Sequence, residues 1–519
     1  MNAAVYQNHD LPDDVEALKK LIAEQQRFLE HKDKRIHVLE ELVKLHKLKK
    51  FGASSEKSPD QEEMFNEAEL TVEAEVALQA EEEALRQRLP RSAKPGKPRR
   101  KPLPTDLPRV RIEHDVPASE KHCACGCKRS EIGEVTSEQL DIIPAKVRVL
   151  VHVRKQYACR RCEEGVTIAP LPRQPIPKSN ASAGLLAHVA VAKFQDALPL
   201  HRQEAVLARS GIELPRNTLA SWMIKAGNLI QPLINLLEDH LLAYPVLHCD
   251  ETTVQVLKEP DKAATSHSYM WVRVGGPPTQ PIRLFHYAAS RRGDVASHLL
   301  ADYQGYLQTD DYGGYNAVGG APGITHLGCW AHARRKFIEA QKAAAKSSKT
   351  SKADVAVGLI GKLYAIEKQA KDFDPEQTLQ LRQQEAVPQL RKIREWLDKT
   401  LHSTLPKGLL GKALAYLDKN WAKLTVYTED GRLSIDNNAA ENAIRPFVLG
   451  RKNWLFSASV PGAKASANLY SLIETAKASG LEPYAYLRHV FKELPLAASV
   501  EQMEALLPWK TTPETIAIS

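Results

Sequence analysis

The sequence predicts a multidomain α/β protein. At 519 residues the chain exceeds one compact domain, and 43% of it is hydrophobic, enough for sizeable cores. Across residues 243–344, three strand-like runs are followed by alternating helical and strand-like segments, an α/β pattern. Five of the seven cysteines fall within residues 111–172, which marks a small metal-dependent unit.

Charge and hydropathy narrow the function classes. The net charge is +8, and the Glu-rich stretch 61–83 offsets lysines and arginines elsewhere, so the remainder is more basic than the total. A polyanionic partner is favoured. There is no apolar run of eighteen residues, and the first fourteen residues are polar and acidic rather than a signal peptide. The expectation is a cytoplasmic, nucleoid-associated protein with no membrane segment.

Residues 11–50 carry a heptad pattern. Val15, Ile22, Leu29, Ile36 and Val43 recur every seven residues, with Leu11, Leu18 and Leu39 at the complementary position and Gln25, Lys32 and His46 weakening the seam. The pattern predicts a coiled-coil helix leaning towards a parallel dimer; an amphipathic helix packed on its own protein is the alternative. Gly52 is a helix stop, and Ser54 or Ser55 a new N-cap. Residues 51–110 then read as an acidic helix and a basic, Pro-rich linker. Prolines exclude regular structure there, and the cations suit a DNA backbone or simply solvate a linker.

Residues 111–172 hold Cys123, Cys125, Cys127, Cys159 and Cys162, four of which would bind Zn²⁺ tetrahedrally, with residues 146–153 alternating as a strand. Residues 178–242 are helical. Within them, residues 200–209, a turn at 210–215 and residues 216–225 suggest a helix-turn-helix, capped by Asn217 or Thr218. Arg216, Asn217, Ser221 and Lys225 could face DNA, although hairpins that only pack are commoner.

Residues 243–344 and 431–480 form the candidate catalytic domain. Strands are expected at 246–250, 269–274, 281–287, 305–310 and 324–329, with helices at 293–301 and 330–344. Residues 345–430 read as a helical insertion, residues 453–456 as a strand or loop, and residues 481–519 as a helical tail. Two strands end in acid, at Asp250 and Asp310, and Glu441 begins a later helix; the spacings are 60 and 131 residues. Carboxylates brought together from separate elements are what a pair of Mg²⁺ or Mn²⁺ ions requires for phosphodiester chemistry, and their repulsion without metal should raise at least one pKa. Asp311 competes with Asp310, but alternation along the strand favours Asp310. Asp436 competes with Glu441, but more naturally caps the helix. Arg445, Arg451 and Lys452 could hold phosphates while Trp454 stacks on an unpaired base or packs in a core. Cys329-x-x-His332 reads as packing and positioning, because no second ligand pair is evident.

Asp250-Glu251-Thr252, the run Leu307-Gln308-Thr309-Asp310-Asp311-Tyr312-Gly313-Gly314-Tyr315, Asp436-Asn437-Asn438-Ala439-Ala440-Glu441-Asn442 and Gly450-Arg451-Lys452-Asn453-Trp454 resemble motifs of the insertion-sequence-66 transposase family. The likeness extends to the 51–57 segment, the cysteine module and the tail, nearly the whole chain. It implies a ribonuclease H-like catalytic domain with a helical insertion, with Asp250, Asp310 and Glu441 as a metal-binding triad. It also implies cleavage of transposon ends, joining of the freed 3′-hydroxyls to target DNA, a helix-turn-helix region and small accessory proteins. One departure is Asp311, where the family usually has Gly. Synapsis of two DNA ends predicts at least a dimer. Rival expectations are a structure-selective nuclease of the same fold and a catalytically degenerate zinc-containing DNA-binding protein.

Overall fold

The computed structural model describes residues 14–51, 147–158, 166–343 and 350–518. The chain divides into two units, one of residues 1–76 with 172–519, the other of residues 77–171.

The larger unit opens with α1 (Val15–Phe51). Its heptad residues Val15, Ile22, Leu29, Ile36 and Val43 are each more than half exposed and form a bare apolar stripe. In the smaller unit, β1 (Gln156–Ala158) and β2 (Val166–Ile168) pair antiparallel, with Tyr157 opposite Thr167. The strand expected over residues 146–153 is corrected: residues 147–155 carry none, and Val149, Val151 and Val153 are at least 80% exposed. Alternation alone cannot make a strand without a ladder partner, and among the described residues pairing begins at Gln156. Cys123, Cys125, Cys127, Cys159 and Cys162 lie outside the described residues, as do the acidic segment and the basic linker.

Four helices precede the sheet: α2 (Ala183–Phe194), α3 (Leu200–Ala208), α4 (Arg216–Leu229) and α5 (Gln231–Leu242). The expected cap of α4 is corrected. Pro215 occupies the N-cap, its fixed φ of −60° leading the chain into the helix, so Asn217 and Thr218 fall inside the first turn. Leu219, Trp222, Met223 and Ala226 bury one face of α4, which leaves Arg216, Asn217, Ser221 and Lys225 exposed.

The sheet is built from β3 (Val246–Lys258), β4 (His267–Gly275), β5 (Ile282–Ala288), then α6 (Gly293–Leu299), β6 (Gly305–Gln308) and β7 (Ile324–Leu327). Spatial order is β5-β4-β3-β6-β7. The β3–β4 and β4–β5 pairs are antiparallel; β3–β6 and β6–β7 are parallel. Helix α7 (Trp330–Ala343) follows. The insertion contributes α8 (Lys352–Gln369), α9 (Val387–Leu401) and α10 (Leu409–Lys419). Ile360, Leu363, Ile393, Leu397, Leu414 and Leu417 make a second core there with Trp330 and Phe337 of α7.

The chain returns through α11 (Asn438–Trp454), β8 (Phe456–Ser459), α12 (Val460–Ala478) and α13 (Pro483–Glu493). Residues 453–454, expected as strand or loop, finish α11. Leu455 then turns at φ +66°, and β8 joins the far end of β3 in parallel. Helix α12 covers the edge strand β5. The outward N–H groups of Arg283 and Phe285 donate to Thr475 Oγ1 and Ser471 Oγ at 3.1 and 2.7 Å, so the edge cannot pair with another chain. Helix α4 crosses α12 at Gly227, where a Cβ would lie 2.7 Å from the Ala465 Cα, so only glycine permits that approach.

Two of the histidines, His286 and His326, illustrate how this fold is tied to pH. Burial, reinforced by Arg273 for His286 and by Lys423 for His326, pushes both imidazoles down to about 4. Their folded pKa lies below the unfolded value, so between roughly pH 6.5 and 4 the unfolded chain binds more protons and stability falls as pH falls. For His326 the loss is on the order of 3 kcal/mol across that window. Urea midpoints at pH 7, 5.5 and 4.5 should therefore drop less steeply for His326→Asn than for the wild type. Identical slopes would refute the assignment.

Candidate active site

Asp250 lies within a strand rather than at its end, contrary to the sequence expectation. Thr252, Val254 and Val256 continue the buried alternation, and the ladder with β4 runs on to Gln255 opposite His267. What stops is the partner on the other side. β6 pairs with Val246–His248 only, and β8 begins pairing at Gln255. Asp250 sits at that gap.

β6 likewise ends at Gln308, two residues short of Asp310. The parallel register sets His248 beside Gln308, so Asp250 and Asp310 each lie two residues beyond the last matched pair. Gln308 Nε2 donates to Gly328 O and Ser434 O at 3.3 and 2.9 Å, which ties this strand end to its surroundings. Asp310 is buried, and its Oδ1 accepts the Tyr312 N–H at 2.9 Å. Its neighbour Asp311 faces outward to Lys419 Nζ at 3.0 Å.

The start of α11 fills the gap from a third direction. Asn437 Nδ2 donates to Cys249 O at 2.9 Å, while its Oδ1 lies 3.2 Å from His248 Nδ1. This side chain occupies the place a neighbouring strand would take on β3. Asp436 caps α11 from one position further out: its Oδ1 accepts the Asn438 N–H at 3.2 Å, and its Oδ2 takes the Tyr364 hydroxyl at 3.1 Å. Glu441, in the first turn, points inward and is 5% exposed, with Oε1 3.6 Å from His332 Nδ1. Burial, then the charges of Glu251, Asp310 and Glu441, hold the Asp250 carboxyl well above the usual carboxylate range. The Glu251 N–H, donating to Asp250 Oδ1 at 2.8 Å, works against that shift.

Several neighbours went unassigned in the sequence. Buried Glu251 takes Arg291 Nε at 2.6 Å and the Tyr315 hydroxyl. Arg291 stacks on Tyr312, its Cζ 3.7 Å from the ring centroid, and its Nη2 is 3.9 Å from Asp310 Oδ2. The tandem acids Asp250-Glu251 and the paired tyrosines after Asp311 were the only signals, and nothing in residue order points Arg291 at them.

Two proposed DNA contacts are corrected. Arg451 is buried and donates through Nη1 to Thr252 Oγ1 at 3.2 Å, Thr253 Oγ1 at 2.8 Å and Thr253 O, because the last turn of α11 lies on β3. Trp454 is half-buried, in a T-shaped contact with Phe447 at 5.4 Å and beneath the Lys193 ammonium at 5.2 Å, which places it in packing. Lys452 is exposed and Arg445 half-buried. Arg216, Asn217 and Lys225 stand apart on α4, which packs against α12. Among the described residues one group of three has its ligand atoms within 4.8 Å of one another, Cys329, His332 and Glu441, and it does not include Asp250 or Asp310.

Residues 178–465, more than half the chain, match the profile described as Transposase IS66 family. The chain belongs to that family. Three further IS66-type matches flank it: the IS66 C-terminal element over residues 471–509, the zinc-finger binding domain of transposase IS66 over residues 120–163, and "Transposase C of IS166 homeodomain" over residues 38–112. The zinc-finger match spans all five clustered cysteines. Similar proteins include two from Sinorhizobium fredii. Uncharacterized protein y4jD is 33% identical over 422 residues, covering 78% of this chain and 81% of the relative. Uncharacterized protein y4hP is 32% identical over 493 residues, covering 90% and 88%. No solved structure matches. Membership of an IS66 transposase family implies DNA binding. Among the described residues no helix is long and apolar enough to cross a membrane.

Proposed function

We propose that the protein is a DNA transposase of the DDE type, which cleaves insertion-sequence ends and joins the 3′-hydroxyl strands to target DNA. The observation that carries this reading is the convergence at the β3 gap. Asp250 on β3 and Asp310 just past the end of β6 each lie two residues beyond the last matched pair of these parallel strands, and Asn437 anchors the helix that brings Glu441. Three antiparallel strands followed by two parallel ones, in the order β5-β4-β3-β6-β7 with a helical insertion before Glu441, support a ribonuclease H-like catalytic domain.

Asp250, Asp310 and Glu441 would hold Mg²⁺ or Mn²⁺. The donors are hard carboxylate oxygens, and the Asp250 carboxyl is raised first by burial and then by the charges of Glu251, Asp310 and Glu441, a cost that a bound cation would relieve. When bound, such ions lower the pKa of an attacking water or DNA 3′-hydroxyl and stabilise the departing oxygen. The chain's own residues prepare the site. Arg291 holds Glu251 and leaves an edge of its guanidinium beside Asp310, and Asn437 fixes the start of α11. Exposed Arg216, Asn217, Lys225 and Lys452, with Arg445, are suited to phosphate contacts. The bare apolar stripe of α1 supports a coiled-coil dimer that holds two DNA ends together. Four of Cys123, Cys125, Cys127, Cys159 and Cys162 would bind Zn²⁺, and small accessory proteins of the same element are expected partners.

The test is strand cleavage and joining on labelled DNA carrying the cognate element ends, with Mg²⁺ or Mn²⁺. Joined products support the transposase. Cleavage without joining would instead identify a structure-selective nuclease, and end binding without chemistry a DNA-binding protein.

A further inference from the structure

In sequence, Cys329-x-x-His332 reads as packing and positioning because no further ligands are evident. The fold supplies a third from a distant element. Cys329 stands immediately before α7, His332 lies in its first turn, and Glu441 enters from the first turn of α11. All three are buried, at 0%, 6% and 5% exposure. Their ligand atoms lie within 4.8 Å of one another, and His332 Nδ1 is 3.6 Å from Glu441 Oε1. Tetrahedral coordination with bonds of about 2.0–2.3 Å sets neighbouring ligand atoms roughly 3.3–3.7 Å apart. The His–Glu edge already has that length, and closure at the sulfur needs about 1 Å.

The surroundings suit a thiolate ligand. Cys329 Sγ accepts the Asn437 N–H at 3.2 Å and a second backbone N–H from His332. These donors precede α11 and lie in the first turn of α7, where helix dipoles favour negative charge. Without a cation, burial drives the thiol well above its usual range and leaves it inert. A coordinating ion reverses that by displacing the thiol proton to solvent. Sulfur, imidazole and carboxylate together select a borderline-soft ion rather than Mg²⁺, and three protein ligands with one open position form a recognised zinc arrangement.

We propose that Cys329, His332 and Glu441 form a second seat for a thiophilic divalent cation such as Zn²⁺, separate from the clustered cysteines, and that its occupation withdraws Glu441 from the Asp250–Asp310 site. The seat itself stands on the geometry alone; the competition for Glu441 rests on the transposase reading. Zinc in excess is then an inhibitor that acts through the triad's own glutamate.

The experiment titrates the zinc-replete full-length chain with Co²⁺ and follows absorption. Co²⁺ reports sulfur ligation by a near-ultraviolet charge-transfer band, and it does not displace Zn²⁺ from a filled cysteine site. Wild type should bind one further Co²⁺ with that band. Cys329→Ser should lose the band, and His332→Gln should weaken binding by about tenfold or more while keeping it. Wild type with no saturable band, or Cys329→Ser with an unchanged one, overturns the seat; the wild-type arm needs no variant to fold. Micromolar Zn²⁺ should also suppress Mg²⁺-dependent cleavage in wild type, and undiminished cleavage with the seat filled would overturn the competition. A Co²⁺ band without any DNA cleavage would leave the seat standing and remove the transposase reading instead.

Discussion

Asp250→Asn, Asp310→Asn and Glu441→Gln will each lower strand cleavage and joining by at least about 10³-fold, because under the proposed function each would remove a ligand from a metal centre worth several kcal/mol of transition-state stabilisation. DNA binding should stay within a few-fold of wild type in gel-shift measurements, since none of the three is a phosphate-binding cation. The informative controls are the acids beside them. Asp311→Asn removes an ion pair with largely exposed Lys419 and should leave cleavage within about threefold of wild type. Asp436→Asn keeps an oxygen able to accept the Asn438 N–H, so its effect should stay well short of the loss at Glu441. Abolished cleavage in Asp311→Asn with near-normal cleavage in Asp310→Asn would show that the strand end presents the other acid to the metal.

Local signals gave the outline of this domain. Runs rich in β-branched and aromatic residues predicted β4, β5 and β7 to within two residues, and Gly and Pro punctuated the α3–α4 turn. Such signals describe a segment and its own periodicity. They could not reveal that β3 continues through Asp250 while its neighbour β6 ends, since strand length depends on β4 and β8, which lie elsewhere in the chain. The same limit explains Arg451. A basic residue near a catalytic acid reads as a phosphate contact, but the approach of α11 to β3 turns it onto Thr252 and Thr253. Arg291 and the Cys329–His332–Glu441 cluster were hidden for the same reason: each is assembled from elements whose proximity residue order does not encode.

Arg382→Met will destabilise the larger unit by about 3–5 kcal/mol, the penalty for breaking a buried ion pair from one side. Arg382 is 3% exposed and makes five hydrogen bonds. Its Nε and Nη2 grip Glu367 Oε1 and Oε2 at 2.9 and 2.6 Å, its Nη1 donates to Tyr427 O and Asp430 O, and Nη2 reaches Leu433 O. A guanidinium has five N–H donors, so every one is used, and methionine would leave a carboxylate and three carbonyls to find new partners. Urea unfolding should register the loss directly; a change below about 1 kcal/mol would mean that water already serves those carbonyls. The double change Arg382→Met with Glu367→Leu should recover part of it, because removing both charges costs less than stranding one. The carbonyls belong to residues 427–433, which lead directly into Ser434, the acceptor for Gln308, and Ile435, whose carbonyl takes the Trp330 N–H at 3.2 Å. Asp436, Asn437 and the first turn of α11 come next. Arg382 therefore fixes the approach path of Glu441 from inside the insertion, and its loss should depress cleavage at temperatures where the rest of the sheet is still folded.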